Sequence, residues 1–284
     1  MKHRYNFFLP LLIAFLLLLG CKDNKPIRHN SVRIVSLAPS LTNTLCKMGL
    51  MAQLVGVTDF CKYNDEFEQR ITDGNIRRVS GFNTFNFELI SSVEPDYIFA
   101  LDSVTIEQWQ QFESLFENTK TKIIGMKHPT DFGDLQDQIR QIGSILHCED
   151  TAAQLCQSID DKLSDMLPIN KTLTVLPEIY YPPFMTVGTN TFIADIVRKA
   201  GGKLAVEDDQ LWPTVSLEQL VIIDPDVVIT ETAHSDTNHN LLVINAYKQN
   251  RIFVPSVQDW YMQPLIDSAE IAVELNRYLA GMCD

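Results

Sequence analysis

The sequence lacks the features that mark common enzymes and nucleic-acid-binding proteins. Its 284 residues contain no HExxH, Walker A, GxSxG or GxGxxG stretch, which are signatures of metal, nucleotide and nucleophile chemistry. The net charge is −13 and no Lys/Arg cluster offsets it, so the usual electrostatic route to nucleic acid is excluded. Cysteines number six, without a C-x-x-C pair. We therefore expect neither catalysis, nor nucleic-acid binding, nor a resident metal or cofactor.

The first twenty residues differ from the rest of the chain. MKHRYNFFLPLLIAFLLLLG joins a basic start to an apolar run over residues 7–19, which is short for a membrane span and typical of a secretory signal. Leu18-Leu19-Gly20-Cys21 resembles the bacterial lipobox. The resemblance implies that residues 1–20 are a lipoprotein signal peptide, that Cys21 is lipidated, and that residues 21–31 are a polar tether. The alternative is an uncleaved anchor.

Strand and helix patterns alternate over most of the remaining chain. Short apolar strands are predicted at 33–38, 54–57, 97–100 and 122–126, and again at 172–176, 227–230 and 251–255. Helices between them are typical of an α/β fold with mainly parallel sheets. Residues 132–168 carry only a helical pattern, which predicts one long helix or two with a break near 148–150. The predicted domains are an N-terminal α/β lobe over 32–131, a linking helix over 132–168 and a C-terminal α/β lobe over 169–284.

One sequence unit occurs once in each predicted lobe. It reads FELISSVEPDYIFA at 87–100 and LEQLVIIDPDVVIT at 217–230. Both copies have a glutamate in second place, Glu88 and Glu218, and a Pro-Asp pair before the apolar run, at a constant offset (218 − 88 = 226 − 96 = 130). A carboxylate in the first helical turn stabilises the positive end of the helix dipole. That effect leaves an exposed carboxylate able to meet an arginine of a partner as well.

The same unit carries start and stop signals for a helix. Asn86 is the predicted cap of the first copy, and Ser216 with Gln219 forms a predicted capping box in the second. Each proline, Pro95 and Pro225, is expected to push the preceding residue out of helical geometry, so that the chain leaves the helix and enters a strand. Much of the repeat is thus explained by a duplicated fold.

Four stretches of the chain resemble the class III periplasmic substrate-binding proteins of bacterial ABC importers. They are RIVSLAPSLTNTLCKMGLMAQLVGVTDF, NFELISSVEPDYIFA, VGTNTFIADIVRKAGG and WPTVSLEQLVIIDPDVVIT, and the similarity covers nearly all of 32–284 in the family's order. The resemblance implies two Rossmann-like lobes joined by one rigid helix, with a ligand cleft between them and no catalysis. It also implies that Glu88 and Glu218 dock onto arginines of a dimeric permease, one acid per lobe.

The predicted ligand contacts follow the strands. Ligands of α/β folds bind outside the carboxyl ends of the strands, and the loops leaving those ends here are rich in aromatic residues. Flat rings suit a large macrocycle, although each could instead pack under its loop. The predicted contact residues are Ser40, Asp59, Phe60, Tyr63, Phe82, Tyr181, Phe184, Trp212 and Trp260.

Among the ligands of this family, cobalamin is our prediction. The VGTNTFI and Asp-Trp segments are most similar to the cobalamin-binding branch, although that branch often has an arginine shortly after Asp-Trp and this chain has DWYMQPLID. A carboxylate-rich ferric siderophore would need several arginines in the cleft, for which Arg77, Arg78 and Arg251 are the candidates. Haem would need an axial ligand such as Tyr181 or Tyr63.

The predicted partners are a corrinoid or other metal chelate and an ABC permease dimer with its ATPase. Cobalamin would be a transported ligand rather than a cofactor. The predicted location is the periplasmic face of the cell membrane through a lipid anchor, with the outer membrane or cell surface as alternatives. A scavenging lipoprotein without a permease is a further alternative. The five cysteines after Cys21 are expected to be mostly buried thiols.

Overall fold

The chain is described by a computed structural model over residues 31–81, 84–231, 239–257 and 264–283. From Arg33 onward the chain forms one compact unit. The predicted signal peptide and Cys21 lie outside the described residues. In the described part of the chain, no helix combines the length and the apolar character needed to cross a bilayer.

A five-stranded parallel sheet organises residues 33–131, which we call the N-lobe. Its strand order is β3-β2-β1-β4-β5. The strands are β1 (Ile34–Ser36), β2 (Leu54–Thr58), β3 (Arg77–Ser80), β4 (Tyr97–Leu101) and β5 (Lys122–Met126). The helices are α1 (Pro39–Lys47), α2 (Asp65–Thr72), α3 (Phe87–Ser92) and α4 (Ile106–Phe116), with a 3-10 turn at Met51–Gln53.

A four-stranded parallel sheet organises residues 169–283, which we call the C-lobe. It contains β6 (Thr174–Pro177), β8 (Lys203–Leu204), β10 (Val227–Ile229) and β11 (Ile252–Phe253) in the order β11-β10-β6-β8. Strands β7 (Phe184–Met185) and β9 (Thr214–Val215) form a separate antiparallel pair. The helices are α7 (Phe192–Lys199), α8 (Leu217–Ile223), α9 (Asn245–Lys248) and α10 (Ser268–Gly281), with a 3-10 helix at His239–Val243.

The two sheets share one topology, which confirms the predicted α/β fold. The order β8-β6-β10-β11 repeats β2-β1-β4-β5, strand for strand along the chain. Parallel strands joined through helices bring their carboxyl ends to one edge of each sheet. Each lobe therefore presents one loop-bearing edge suited to a ligand.

The linking segment is a pair of helices, α5 (Phe132–Leu146) and α6 (Glu149–Ser164). His147 separates them in a left-handed conformation, with φ 56° and ψ 47°, which stops the helical hydrogen-bond ladder. A Cβ added at Gly143 would stand 2.6 Å from the Cβ of Ala152, so glycine permits the close packing of the pair. The single helix predicted over 132–168 is corrected accordingly, and the alternative with a break is confirmed. The domain limits 32–131 and 169–284 stay a prediction.

One apolar core runs through both lobes and joins them. The rings of Phe132, at the start of α5, and Phe192, in the C-lobe, lie 4.9 Å apart between centroids. The buried carboxylate of Asp195 accepts the backbone N–H of Phe132 at 3.0 Å. Lys47 and Asp267 form an ion pair across the lobes at 2.8 Å. Since closely packed interiors resist separation, this junction opposes a wide hinge motion.

The repeated Pro-Asp pair has the same structural role in each lobe. Asp96 accepts the backbone N–H of Arg33 at 2.8 Å, at the entry to β1. Asp226 accepts both the backbone N–H and the hydroxyl of Thr174, each at 2.8 Å, at the start of β6. Each aspartate therefore ties its own strand to the beginning of the neighbouring parallel strand. This accounts for the repeated aspartate through the fold alone.

The helix signals in the repeat are also confirmed. Asn86 caps α3, and Ser216 with Gln219 forms a capping box on α8, with distances of 3.2 and 2.9 Å. The residues before the two prolines, Glu94 and Asp224, have φ of 41° and 39°. These positive values show that the chain leaves helical geometry there, as the prolines predict.

The five described cysteines are all free thiols. Cys46, Cys61 and Cys156 are buried, which confirms the prediction for most of the set, whereas Cys148 and Cys283 are partly exposed. Burial raises the pKa of the Cys46 thiol to about 12. A thiol with such a pKa is protonated and unreactive at neutral pH.

Candidate ligand cleft and docking surface

The carboxyl edge of the N-lobe sheet holds an open pocket. Asp59 and Phe60 follow β2 directly and are exposed, while Tyr63 is half-buried against the core. A pocket of about 560 Å³ opens between this loop and the start of α3. Its lining residues are Asp59, Arg78, Val79, Ser80, Gly81, Thr84, Phe85, Asn86, Phe87, Glu88 and Leu89.

Arg78 holds one wall of this pocket in place. Its Nη1 donates to the carbonyl oxygens of Thr58, Asp59 and Cys61 at 2.9, 2.9 and 3.2 Å. Its Nη2 lies 3.4 Å from the carboxylate of Glu68. The guanidinium thus fixes the loop that carries Asp59. Its Nη1 donors are used by carbonyl oxygens of that loop.

The segment between β3 and α3 is a part of the site that the sequence indicated only through two aromatic residues, Phe85 and Phe82, of which Phe82 lies outside the described residues. Phe85 and Phe87 pack on Phe112 of α4, with ring centroids 5.3 and 4.8 Å apart. This packing anchors the pocket wall to the lobe. The dense aromatic run itself was the available signal, but β3 was not predicted, so its carboxyl end was not recognised.

The C-lobe edge offers exposed aromatic side chains. Tyr180 and Trp212 are exposed, and Tyr181 is half-buried beside the core of this lobe. Trp212 directly precedes the segment whose β9 pairs with β7. The predicted contact Trp260 lies outside the described residues. Apolar area is therefore available at the loop-bearing edges of both lobes.

Two predicted contact residues are buried. Ser40 lies in the first turn of α1, and Phe184 lies in β7 with its ring centroid 6.4 Å from that of Tyr181. The buried ring of Phe184 packs edge-on against the ring of the more exposed Tyr181. Direct ligand contact by Ser40 and Phe184 stays a prediction.

A buried carboxylate lies just after β6, which sequence reasoning missed. The hydroxyl of Tyr247 in α9 donates to Oε2 of Glu178. Burial, and then the charge of Glu178, raise the pKa of Tyr247. The pair fastens α9 to the carboxyl edge of the C-lobe sheet. No local pattern reveals it, since the partners are far apart along the chain.

Glu88 and Glu218 both stand exposed in the first turn of their helices. The backbone N–H of Glu218 and the hydroxyl of Ser216 hold the pKa of Glu218 below its usual range, so this carboxylate is ionised at neutral pH. Glu88 also lines the N-lobe pocket. Each lobe therefore displays the glutamate of its repeated unit at the surface.

Among residues 31–81, 84–231, 239–257 and 264–283, no three His, Cys, Asp or Glu side chains converge to hold a metal ion. The stretch with His234 and Asp236, whose side chains are also of metal-ligand types, lies outside these ranges.

Known proteins with similar sequences identify the family of this chain. The family model described as "Periplasmic binding protein" matches residues 34–253. The "Uncharacterized ABC transporter substrate-binding lipoprotein YvrC" of Bacillus subtilis is 25% identical, covering 89% of this chain and 90% of its own length. A "Cobalamin-binding protein" of Halobacterium salinarum is 27% identical, covering 70% of this chain and 53% of its own length.

A solved structure extends the comparison to the fold. The "Periplasmic heme-binding protein RhuT" from Roseiflexus sp. RS-1, in apo form, has a TM-score of 0.74 at 19% identity, covering 89% of this chain and 100% of that one. At this identity the likeness concerns the fold alone. The family match spans most of the chain, and members of this family bind solutes and do not catalyse reactions. The chain therefore belongs to the periplasmic binding protein family, within the class III substrate-binding proteins that serve ABC importers.

Proposed function

We propose that this protein captures cobalamin between its two lobes and delivers it to an ABC permease. The observation that carries the ligand choice is the placement of the three candidate arginines. Arg78 is engaged by loop carbonyls and Glu68. Arg251 faces Asp226 at 4.0 Å, and Arg77 is the first residue of β3, at the end opposite the carboxyl edge.

This placement favours a ligand without many carboxylates. A siderophore that presents several carboxylates requires guanidinium groups that are free to make bidentate contacts. A corrinoid presents a large flat ring with amide side chains, which suits exposed aromatic residues such as Phe60 and Trp212. The cobalamin-binding relative is consistent with this choice.

Tyr63, one of the two candidate axial ligands of haem, is poorly suited to that role. A tyrosine that ligates ferric iron does so as the phenolate, and burial raises the pKa of Tyr63, which disfavours that form. Tyr63 also packs against the shared core. These features argue against Tyr63 as the axial ligand.

The ligand assignment is tested by titrating the purified protein with cyanocobalamin, haem and ferric siderophores, followed by absorbance and calorimetry. We expect saturable one-to-one binding of cyanocobalamin without turnover. Absence of cobalamin binding, or tighter binding of haem or a siderophore, would contradict the proposal.

The aromatic contacts are tested with variants at the two edges. Phe60→Ala and Trp212→Ala should each weaken cobalamin binding by about tenfold, since each removes apolar area that the ring covers. Leu167→Ala is the matched control, because Leu167 is an exposed apolar residue after α6, and it should leave affinity unchanged. Equal affinity in all three variants would place the ligand elsewhere.

For delivery, we propose that Glu88 and Glu218 bind arginines of a two-fold symmetric permease. Both acids are exposed and repeated, whereas the aspartates of the same repeat are used by the fold. A symmetric partner presents the same basic group twice, which suits one acid on each lobe. Loss of uptake when both acids are removed is the expected outcome.

We also propose that the protein is exported and held at the membrane by lipid on Cys21. The lipobox-like sequence supports this, as does the lipoprotein relative of Bacillus subtilis. Labelled palmitate should be incorporated into the full chain and not into the Cys21→Ser variant. Incorporation in both would contradict lipidation at Cys21.

A further inference from the structure

Helix α8 carries more apolar surface than its own lobe covers. Leu217, Leu220 and Ile223 pack into the C-lobe core. On the outer side, Val221 is 50% exposed and Ile222 is 83% exposed. The solvent-facing side of a surface helix is normally polar. The outer face of α8 therefore lacks the covering that its sequence suits.

The neighbouring 3-10 helix also carries exposed apolar side chains. Leu242 and Val243 are 45% and 43% exposed. Asn245 ties this segment to the end of α8, because its backbone N–H and its Nδ2 donate to the carboxylate of Asp224 at 3.3 and 2.8 Å. We name Val221, Ile222, Leu242 and Val243 the apolar patch. Single exposed apolar residues are ordinary, but a group on adjoining elements marks an interaction surface.

The duplicated fold does not require this patch. At the same offset of 130 residues, the positions of Val221 and Ile222 correspond to Ser91 and Ser92 in α3. The Ser92 hydroxyl donates to the carbonyl of Leu89 at 2.8 Å, as is usual for a solvated helix end. The same helix and turn are thus built in the N-lobe with polar residues. The apolar residues of α8 serve something other than the fold.

We propose that the apolar patch is part of the surface that binds the permease, where it contacts an apolar area beside the cationic group that meets Glu218. The inference rests on the proposed docking role of Glu218. Ile222 lies four residues after Glu218, so both side chains project from the same face of α8. A partner held at Glu218 therefore reaches Ile222 within one helical turn.

This arrangement gives the two lobes different parts in docking. Protein interfaces join an apolar centre, which supplies affinity, to a charged rim, which supplies orientation and rate. The N-lobe offers Glu88 with Ser91, Ser92 and one exposed apolar neighbour, Leu89 (39% exposed), and the C-lobe offers Glu218 with the apolar patch. The C-lobe contact is accordingly the stronger of the two, and its apolar part is insensitive to salt.

The test uses the full chain and the ABC permease of the host organism through which this chain restores ligand uptake. The permease is purified in lipid nanodiscs. The dissociation constant is measured at low and high salt. Val221→Ser combined with Ile222→Ser should weaken the complex by about tenfold, or about 1.4 kcal/mol, and leave its salt dependence unchanged. Glu218→Ala should instead reduce the salt dependence, because it removes a charged contact.

The control is Leu167→Ser, since Leu167 is 49% exposed and lies outside the patch; it should bind the permease as the unaltered chain does. Ligand affinity and thermal unfolding of each variant check that folding is retained, which the exposure of both side chains favours. Unchanged permease affinity in the double serine variant would overturn the inference. So would self-association of the unaltered chain, seen by sedimentation and lost in the variant, because the patch would then join two copies. A permease affinity and salt dependence left unchanged by Glu88→Ala with Glu218→Ala would instead overturn the docking role of the two acids.

Discussion

The two lobes build the same unit with different surroundings. In both, a capped short helix ends in a residue with positive φ, and an aspartate ties the next strand to its neighbour. In the N-lobe the preceding strand, β3, belongs to the main sheet, whereas in the C-lobe the preceding strand, β9, pairs with β7 in a small separate sheet. The cap, the positive-φ residue and the aspartate of the unit are the same in both lobes. The strand that precedes the unit is placed differently in each.

The divergence separates two kinds of surface. The N-lobe unit begins at a pocket whose wall is fixed by Arg78 and includes Glu88. The C-lobe unit begins after the exposed Trp212 and carries exposed apolar residues on its helix. A duplicated scaffold thus positions two acids alike while leaving each lobe free to present different chemistry around them.

The largest expected effect tests whether the paired acids act together. Glu88→Ala combined with Glu218→Ala should abolish uptake by cells, because both exposed carboxylates are lost from the docking surface, and should lower cobalamin affinity far less than it lowers uptake; affinity is measured separately because Glu88 also lines the N-lobe pocket. Uptake is measured with labelled cobalamin, and affinity by titration. Glu113→Ala with Glu117→Ala removes two exposed acids, one in α4 and one directly after it, and is the charge-matched control. Normal uptake in the variant that lacks Glu88 and Glu218 would show that these two acids do not dock the protein together.

The next effect concerns the repeated aspartates. Asp226→Ala should lower the free energy of unfolding by about 3 kcal/mol, since two hydrogen bonds to a carboxylate are lost, and Asp96→Ala by about 1.5 kcal/mol, since one is lost. Denaturant unfolding measures both. Asp226→Asn keeps an acceptor and should cost less than Asp226→Ala. Equal losses in the two lobes would show that the second bond at Thr174 contributes little.

Tyr247 should give the C-lobe its own contribution to the loss of stability at alkaline pH, beside that of N-lobe groups such as Cys46, whose pKa is also raised. The raised pKa of Tyr247 means that the unfolded chain, in which tyrosine ionises near pH 10, loses its proton first. The stabilisation is therefore complete below about pH 10 and declines as the pH rises further. Tyr247→Phe should remove this decline and cost about 1–2 kcal/mol at neutral pH.

The control for that experiment is Tyr180→Phe, because Tyr180 is exposed in the same lobe. It should leave both the free energy of unfolding and its pH dependence unchanged. An alkaline decline of unchanged size in Tyr247→Phe would assign the effect wholly to other groups, such as the Cys46 thiol.

The smallest expected effects compare the two helix caps. Asn86→Ala and Ser216→Ala should each destabilise the protein by about 1 kcal/mol. Ser216→Ala should cost slightly more, because it also disrupts the capping box with Gln219. Asn86→Ser retains a capping oxygen and should be nearly neutral. Thermal unfolding resolves these differences, and a larger loss at Asn86 would reverse the ranking.

Sequence patterns located the longer elements and failed on the shortest. Predicted strands at 54–57 and 122–126 correspond closely to β2 and β5. Strand β3 begins with two arginines, so its apolar signal is weak, and β7, β8 and β9 have two residues each, too few for any periodicity. The segment between β10 and β11 likewise holds a 3-10 helix followed by the short α9, and neither is long enough for a clear helical period.

The sequence by itself determined the alternation of strands and helices, the duplicated unit, its caps and prolines, and the family. These features depend on residues within a few positions of one another, so they can be read along the chain. Tertiary structure alone decided the break at His147, the burial of Ser40 and Phe184, the engagement of Arg78, and the exposure of Val221 and Ile222. Whether a residue is buried, and which residues it contacts, depends on segments far apart in the chain. A linear pattern shows that a residue is apolar or charged, but it does not show what covers that residue.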